Sequence, residues 1–149
     1  MKISNRGKIP SFIVMDVMKS AAEREAIGEG VMHMEVGQPS TAAPSGVIAA
    51  AKQVLDDDVL GYTLAMGILP LRERIARHYQ DCYGVHVPAE RVCVTTGSSA
   101  AFLLTFLAAF DPGDKVAILR PGYPCYRNIL EALDIHAVEV PVGPESRFQ

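Results

Sequence analysis

The sequence predicts an α/β fold, and three observations carry that prediction. Apolar runs without internal alternation, at Val92 to Thr95, Val116 to Leu119 and Ala137 to Val140, read as strands covered on both faces. Stretches of helical period separate them, at Ser99 to Phe110 and Cys125 to Leu133. Short strands alternating with helices build a mainly parallel sheet with helices on both faces.

The elements before Val92 follow from the same periodicities. Over residues 11 to 27, Met15, Met18, Ala22 and Ala26 recur at helical spacing ahead of Gly28 and Gly30, so an amphipathic helix is expected. Met32, Met34 and Val36 alternate with His33 and Glu35, a period of two that predicts a short half-buried strand running into Gly37. A second helix starts at Pro44, carries Val47, Ile48, Ala51, Val54 and Leu55 on one face, and ends at Asp56 to Asp58. A third opens at Pro70, with Leu71, Ile75, Tyr79 and Cys82 on one stripe, and closes at Gly84. The loop GYTLAMG, residues 61 to 67, joins these two helices.

Composition narrows the function classes. A chain of 149 residues, 49% of them hydrophobic, suits one core. The net charge of -3 and interspersed signs leave no basic stripe, so nucleic acid is not an expected partner. Cys82, Cys93 and Cys125 are an odd number without CxxC spacing, which favours reduced, buried or semi-buried thiols and suggests no metal centre. Asp16 interrupts the apolar stretch Phe12 to Met18 and no small-residue cleavage site follows it, so no secretion signal is read. The most apolar run, Ala100 to Phe110, is about half the roughly 20 residues a membrane span needs. It is expected to be a buried helix, and a cytoplasmic protein without a membrane partner is expected.

Three places carry potential chemistry. In VTTGSSAA, residues 94 to 101, a strand ends in Thr96, Gly97, Ser98 and Ser99 and a helix begins at once. Such a junction aims backbone N–H groups and the positive helix end at one point beside two hydroxyls, which suits a phosphate, although serine is equally a plain helix cap. It is neither a Walker loop nor a GxGxxG fingerprint. In RPGYPCY, residues 120 to 126, Tyr123 stands between two prolines just past a strand, at the sheet edge where open α/β folds bind ligands. Its restricted ring suits stacking on a flat heteroaromatic, or is an exposed turn tyrosine. Tyr62, between Gly61 and Gly67, can project from its loop, and Gly37 can offer a backbone N–H to a carboxylate or simply turn the chain.

The order of these pieces resembles the class I and II aminotransferases of pyridoxal-phosphate (PLP) fold type I, the aspartate-aminotransferase-like group, in their N-terminal portion. VGQP at 36 to 39, GYTLAMGILPLRERIA at 61 to 76, VCVTTGSSAAFLL at 92 to 104 and GDKVAILRPGYPCY at 113 to 126 look like successive motifs of that family. The resemblance implies that residues 1–42 form an N-terminal segment belonging to the small domain and residues 43–149 the first, incomplete part of the PLP-binding large domain. It implies PLP as cofactor, with Gly97, Ser98 and Ser99 holding the phosphate near Thr96, and Tyr123 stacking on the pyridine ring. Tyr62 would reach the phosphate in the partner subunit, which implies a homodimer. Gly37 would contact the substrate carboxylate through its backbone, and the segment around Phe12 to Met18 would close over the site. Substrates would be an amino acid and a 2-oxo acid.

The family's internal lysine, which forms a Schiff base with PLP and then moves the substrate proton, has no counterpart among Lys2, Lys8, Lys19, Lys52 and Lys115. No catalytic residue is therefore assigned, and these 149 residues are expected to be a truncated portion, inactive alone. The family's sheet order also separates the first large-domain strand here from the next two, so open edges and uncovered apolar faces are expected. The alternatives are a PLP-dependent carbon–sulfur lyase or decarboxylase on the same fold, or a non-catalytic fragment acting as an interaction module.

Overall fold

The computed structural model describes residues 2–149. Its regular elements are helices α1 (Ile13–Ala26), α2 (Ser45–Asp57), α3 (Leu69–Tyr83) and α4 (Ser98–Ala109), strand β1 (Lys115–Arg120), helix α5 (Cys125–Ala132) and strand β2 (His136–Pro141). Two compact units result. One runs up to Gly37 and resumes over Thr96–Gln149; the other is Gln38–Thr95.

In the first unit, β1, α5 and β2 form a β-α-β crossover. The strands pair parallel from Lys115 opposite His136 to Arg120 opposite Pro141, and the Val142 N–H extends the pairing to the Arg120 carbonyl at 2.8 Å. Asp114 shapes the entry by accepting from the Asp111 N–H at 2.8 Å. The core is small: Leu130 of α5 is fully buried and Ile135, just before β2, nearly so. Leu130 marks where the crossover helix presses on its strands.

In the second unit, α2 starts directly after Pro44, a residue that suits helix starts because its missing N–H costs nothing there. Helix α3 stops at Gly84, which adopts the left-handed conformation. The Arg72 guanidinium of α3 donates from Nη2 to the Ala89 carbonyl at 2.8 Å, and from Nε to the Ala89 and Val92 carbonyls at 3.1 Å each. The Val94 N–H donates to the Met66 carbonyl at 3.0 Å. Segment 89–95 is thus tied to α3 and to the loop before it.

Several expectations need correction. Neither Met32 to Val36 nor Val92 to Thr95 is a strand. A strand's hydrogen bonds lie on a neighbour, and among the described residues these two segments find no ladder partner. Met32 and Met34 are 89% exposed. Helix α4 forms as predicted but is not buried, with Leu103, Leu104 and Leu107 all exposed, and Cys82 and Cys93 are exposed rather than buried.

The uncovered surface has a magnitude. The chain exposes 12275 Å², against about 7,400 Å² for a folded monomer of this mass, or about 8,900 Å² with its two units taken as separate globules. Large apolar side chains of α2 and α4 stay exposed, among them Val47, Ile48, Leu55, Leu104 and Leu107. No helix among the described residues is long and apolar enough to cross a membrane.

Candidate active site

The corner expected to take an anion lies at the start of α4. Gly97 is its N-cap, at φ 85° and ψ 167°, and the helix begins at Ser98 without a side-chain cap. That backbone combination is one essentially reserved to glycine. Ser98 and Ser99 therefore occupy the first two helical positions, where N–H groups have no partner inside the helix and the dipole favours an anion. Both serines are exposed.

The ring site lies beyond the carboxyl end of β1. Gly122 brings the chain so close to the end of the strand that a Cβ on it would stand 2.5 Å from the Leu119 carbonyl oxygen. Tyr123 follows, 50% exposed. Its ring meets Phe12 at 6.1 Å and 81° and Tyr126 at 5.3 Å and 78°. Both neighbours stand nearly perpendicular to it, so neither is stacked parallel on its face. Tyr126 in turn packs on Phe102 of α4 at 4.4 Å.

Corner and ring site are neighbours. Ser99 Oγ lies 3.8 Å from Cys125 Sγ, two residues past Tyr123, and the Phe102–Tyr126 contact repeats the link one turn along. A cleft of about 440 Å³ opens alongside, lined by Phe102, Phe106, Tyr123, Tyr126 and residues 116–119 of β1.

The other sequence candidates belong each to its own unit. Tyr62, in the second unit, is fully exposed. Gly37 closes the N-terminal part of the first unit, with open space where a side chain would project. Just before it, His33 is clamped between two carboxylates, its Nδ1 2.7 Å from Glu35 and its Nε2 3.0 Å from Glu25. The hydrogen bond to Glu35, and after it the one to Glu25, raises the imidazole pKa to about 9. The same bond lowers the Glu35 pKa.

Sequence reading missed the groups surrounding Tyr123. Glu139 of β2 accepts from Arg120 at 2.7 Å and from Arg127 at 3.3 Å, and these three residues line one cleft together with Tyr123. Parallel pairing of β1 with β2 carries the signal for Glu139, because it sets Ile118 opposite that residue, two positions before Arg120. The Asn128 side-chain amide donates to the Pro10 carbonyl at 2.9 Å, across 118 residues of sequence. No local pattern announces that contact.

A parallel β-α-β unit with a serine-rich helix start beside the loop that bears Tyr123 defines an α/β protein. The chain belongs to the aminotransferase class I and II family, a family of PLP-dependent enzymes whose model matches residues 29–149. It is 50% identical over 148 residues to valine–pyruvate aminotransferase of Mycobacterium tuberculosis, covering 99% of this chain and 38% of that protein. An aminotransferase crystal structure from the same organism matches all of this chain and 38% of its own, with a TM-score of 0.94 and 50% identity. A crystal structure of a putative aminotransferase from Silicibacter pomeroyi matches with a TM-score of 0.84 and 46% identity, again over 38% of its length. The chain thus has the aminotransferase fold type I architecture, in part, and spans less than two fifths of these relatives.

Proposed function

We propose that these residues serve PLP-dependent transfer of an amino group from an amino acid to a 2-oxo acid. The observation that carries this is the closeness of Ser99 to Cys125, which sets an anion-seeking helix start beside the loop bearing Tyr123. The groups suit a phosphorylated pyridine. Around Gly97 there is open space within 4 Å of where a side chain would begin, the helix start has no side-chain cap, and Tyr123 has exposed ring surface.

Gly97, Ser98 and Ser99 hold the phosphate through N–H groups and hydroxyls, and Tyr123 lies on the pyridine ring. When bound, PLP supplies an electron sink for the charge left at the substrate α-carbon. Gly37 receives the substrate carboxylate at its backbone N–H. Tyr62 reaches the phosphate in a second subunit, which makes the working protein a homodimer in the cytoplasm.

The lysine that links the cofactor and carries the proton is not one of these 149 residues. Lys115 opens β1, whereas the ring site follows the strand's other end, about 17 Å away for six residues. Lys2, Lys8 and Lys19 belong to the N-terminal region, and Lys52 is an exposed residue of α2. Turnover therefore requires further polypeptide, and the 149 residues alone are inactive.

Binding without the covalent link is weak. A helix start contributes up to about 2 kcal/mol, stacking about 0.5–1.5 and each charge-assisted hydrogen bond about 1.5–3, against an association cost of at least about 4. With two such bonds even the upper values net only about 5.5 kcal/mol, and a Kd weaker than about 1 μM is expected.

The test is an assay of the full-length protein for conversion of an amino acid and a 2-oxo acid into the exchanged pair. Valine and pyruvate come first, because the Mycobacterium relative is named for them. Release of a thiol or of carbon dioxide instead would establish a lyase or a decarboxylase. Turnover by the purified 149 residues would overturn the dependence on further polypeptide.

A further inference from the structure

We propose that Phe12 is a positioning residue for Tyr123, seated by Asn128, so that the N-terminal segment sets the pose of the ring meant to stack on the cofactor; this rests on the function proposed above. Asn128 sits on α5, the helix that carries the fully buried Leu130. From that anchored position its amide holds the Pro10 carbonyl at 2.9 Å. Two residues on, the partly buried ring of Phe12 meets Tyr123 nearly at right angles.

Helix α1 begins immediately after Phe12, whose carbonyl accepts from the Met15 N–H at 2.8 Å. Phe12 therefore sits between two fixed points, the Pro10 carbonyl and the first turn of α1. Tyr123 needs such support. It lies in a loop and is half exposed, and its other ring neighbour, Tyr126, belongs to the same loop-to-helix turn. Phe12 is the ring contact that comes from elsewhere in the sequence, and with Tyr126 it limits rotation of Tyr123 about its side-chain bonds. The line Phe12, Tyr123, Tyr126, Phe102 then runs from the N-terminal segment into α4, the helix that carries the phosphate corner.

The experiment uses the full-length protein and pyridoxine 5'-phosphate, a phosphorylated pyridine with no aldehyde to link covalently, with inorganic phosphate as the second probe. Phe12→Leu is expected to weaken pyridoxine 5'-phosphate about two- to twelvefold, the equivalent of one aromatic pair, and to leave the phosphate Kd unchanged. Tyr123→Leu weakens the same ligand, and adding Phe12→Leu to it costs nothing more, because Phe12 acts through that ring. Phe12→Tyr restores affinity.

In the ligand-free protein, NMR of ring-labelled tyrosine is expected to show faster motion of Tyr123 in both Phe12→Leu and Asn128→Ala. The second variant substitutes none of the ring residues and so serves if the first disturbs folding. Unchanged Tyr123 motion in Asn128→Ala, or additive losses in the double variant, would overturn the role of Phe12 while leaving the site intact. Tyr123→Leu without effect, or a wild-type protein that binds pyridoxine 5'-phosphate no better than phosphate, would overturn both.

Discussion

Ser99 Oγ stands 3.8 Å from Cys125 Sγ, joining the first turn of α4 to the first turn of α5 and two motifs 26 residues apart. Cys125 is half-buried there, so a larger side chain has to push the helix starts apart. Cys125→Phe is expected to destabilise the fold by about 1–3 kcal/mol, the usual range for overpacking, and to weaken pyridoxine 5'-phosphate binding. Cys125→Ser, with nearly the same volume, leaves both close to wild type. Urea unfolding and ligand titration of the two variants check this.

Gly97 holds φ 85° and ψ 167°, so the penalty for a side chain there is backbone strain and not crowding. Gly97→Ala is expected to cost about 1–3 kcal/mol. The first turn of α4 should relax toward an ordinary cap, and affinity for inorganic phosphate should fall with stability. A wild-type phosphate Kd in this variant would separate the corner from anion binding.

Arg72 ties α3 to the Ala89 and Val92 carbonyls with three hydrogen bonds. Arg72→Met keeps much of the aliphatic bulk and removes the donors, and a loss of about 1.5–3 kcal/mol is expected, the scale of a hydrogen bond from a charged group. Lysine restores only part of it, because a point charge cannot reproduce the planar fork. Urea unfolding measures both, and faster amide exchange at Val94 would locate the effect in segment 89–95.

His33 should titrate near pH 9, with Glu35 as its main partner and Glu25 as its second. Because the folded pKa lies above the ordinary 6.5, the contribution of the clamp is fully present below pH 6.5 and is lost as pH rises through about 9. On the acid side Glu35, with its lowered pKa, contributes above its ordinary 4.5 and gives way as pH falls through the lowered value. NMR titration of the imidazole checks the midpoint. In His33→Gln the alkaline transition of segment 31–37 should disappear.

Helices were legible almost to the residue. Pro44, Gly84 and the Gly97–Ser98 junction are local signals, and a helix satisfies its own backbone, so the bounds of α2, α3 and α4 follow from neighbours in sequence. The β1–α5–β2 crossover was legible for a related reason, since both strands and the helix between them lie within one stretch of chain. Met32 to Val36 and Val92 to Thr95 carry equally good strand patterns but join no sheet among the described residues, because a ladder needs a second strand that no local pattern supplies.

The site divides in the same way. Gly97, Ser98, Ser99 and Tyr123 were nameable from residue type and from their place at a strand-to-helix corner. Phe12, Arg120 and Glu139 became visible only as neighbours of Tyr123 in space, and Asn128 only as the partner of Pro10. By itself the sequence determined where helices start and stop and which residues have the chemistry for an anion or a ring, since backbone preference and side-chain chemistry act within a few residues. Tertiary structure alone decided which strands found partners, which apolar faces were covered and what holds Tyr123, because those depend on contacts as distant in sequence as Pro10 from Asn128.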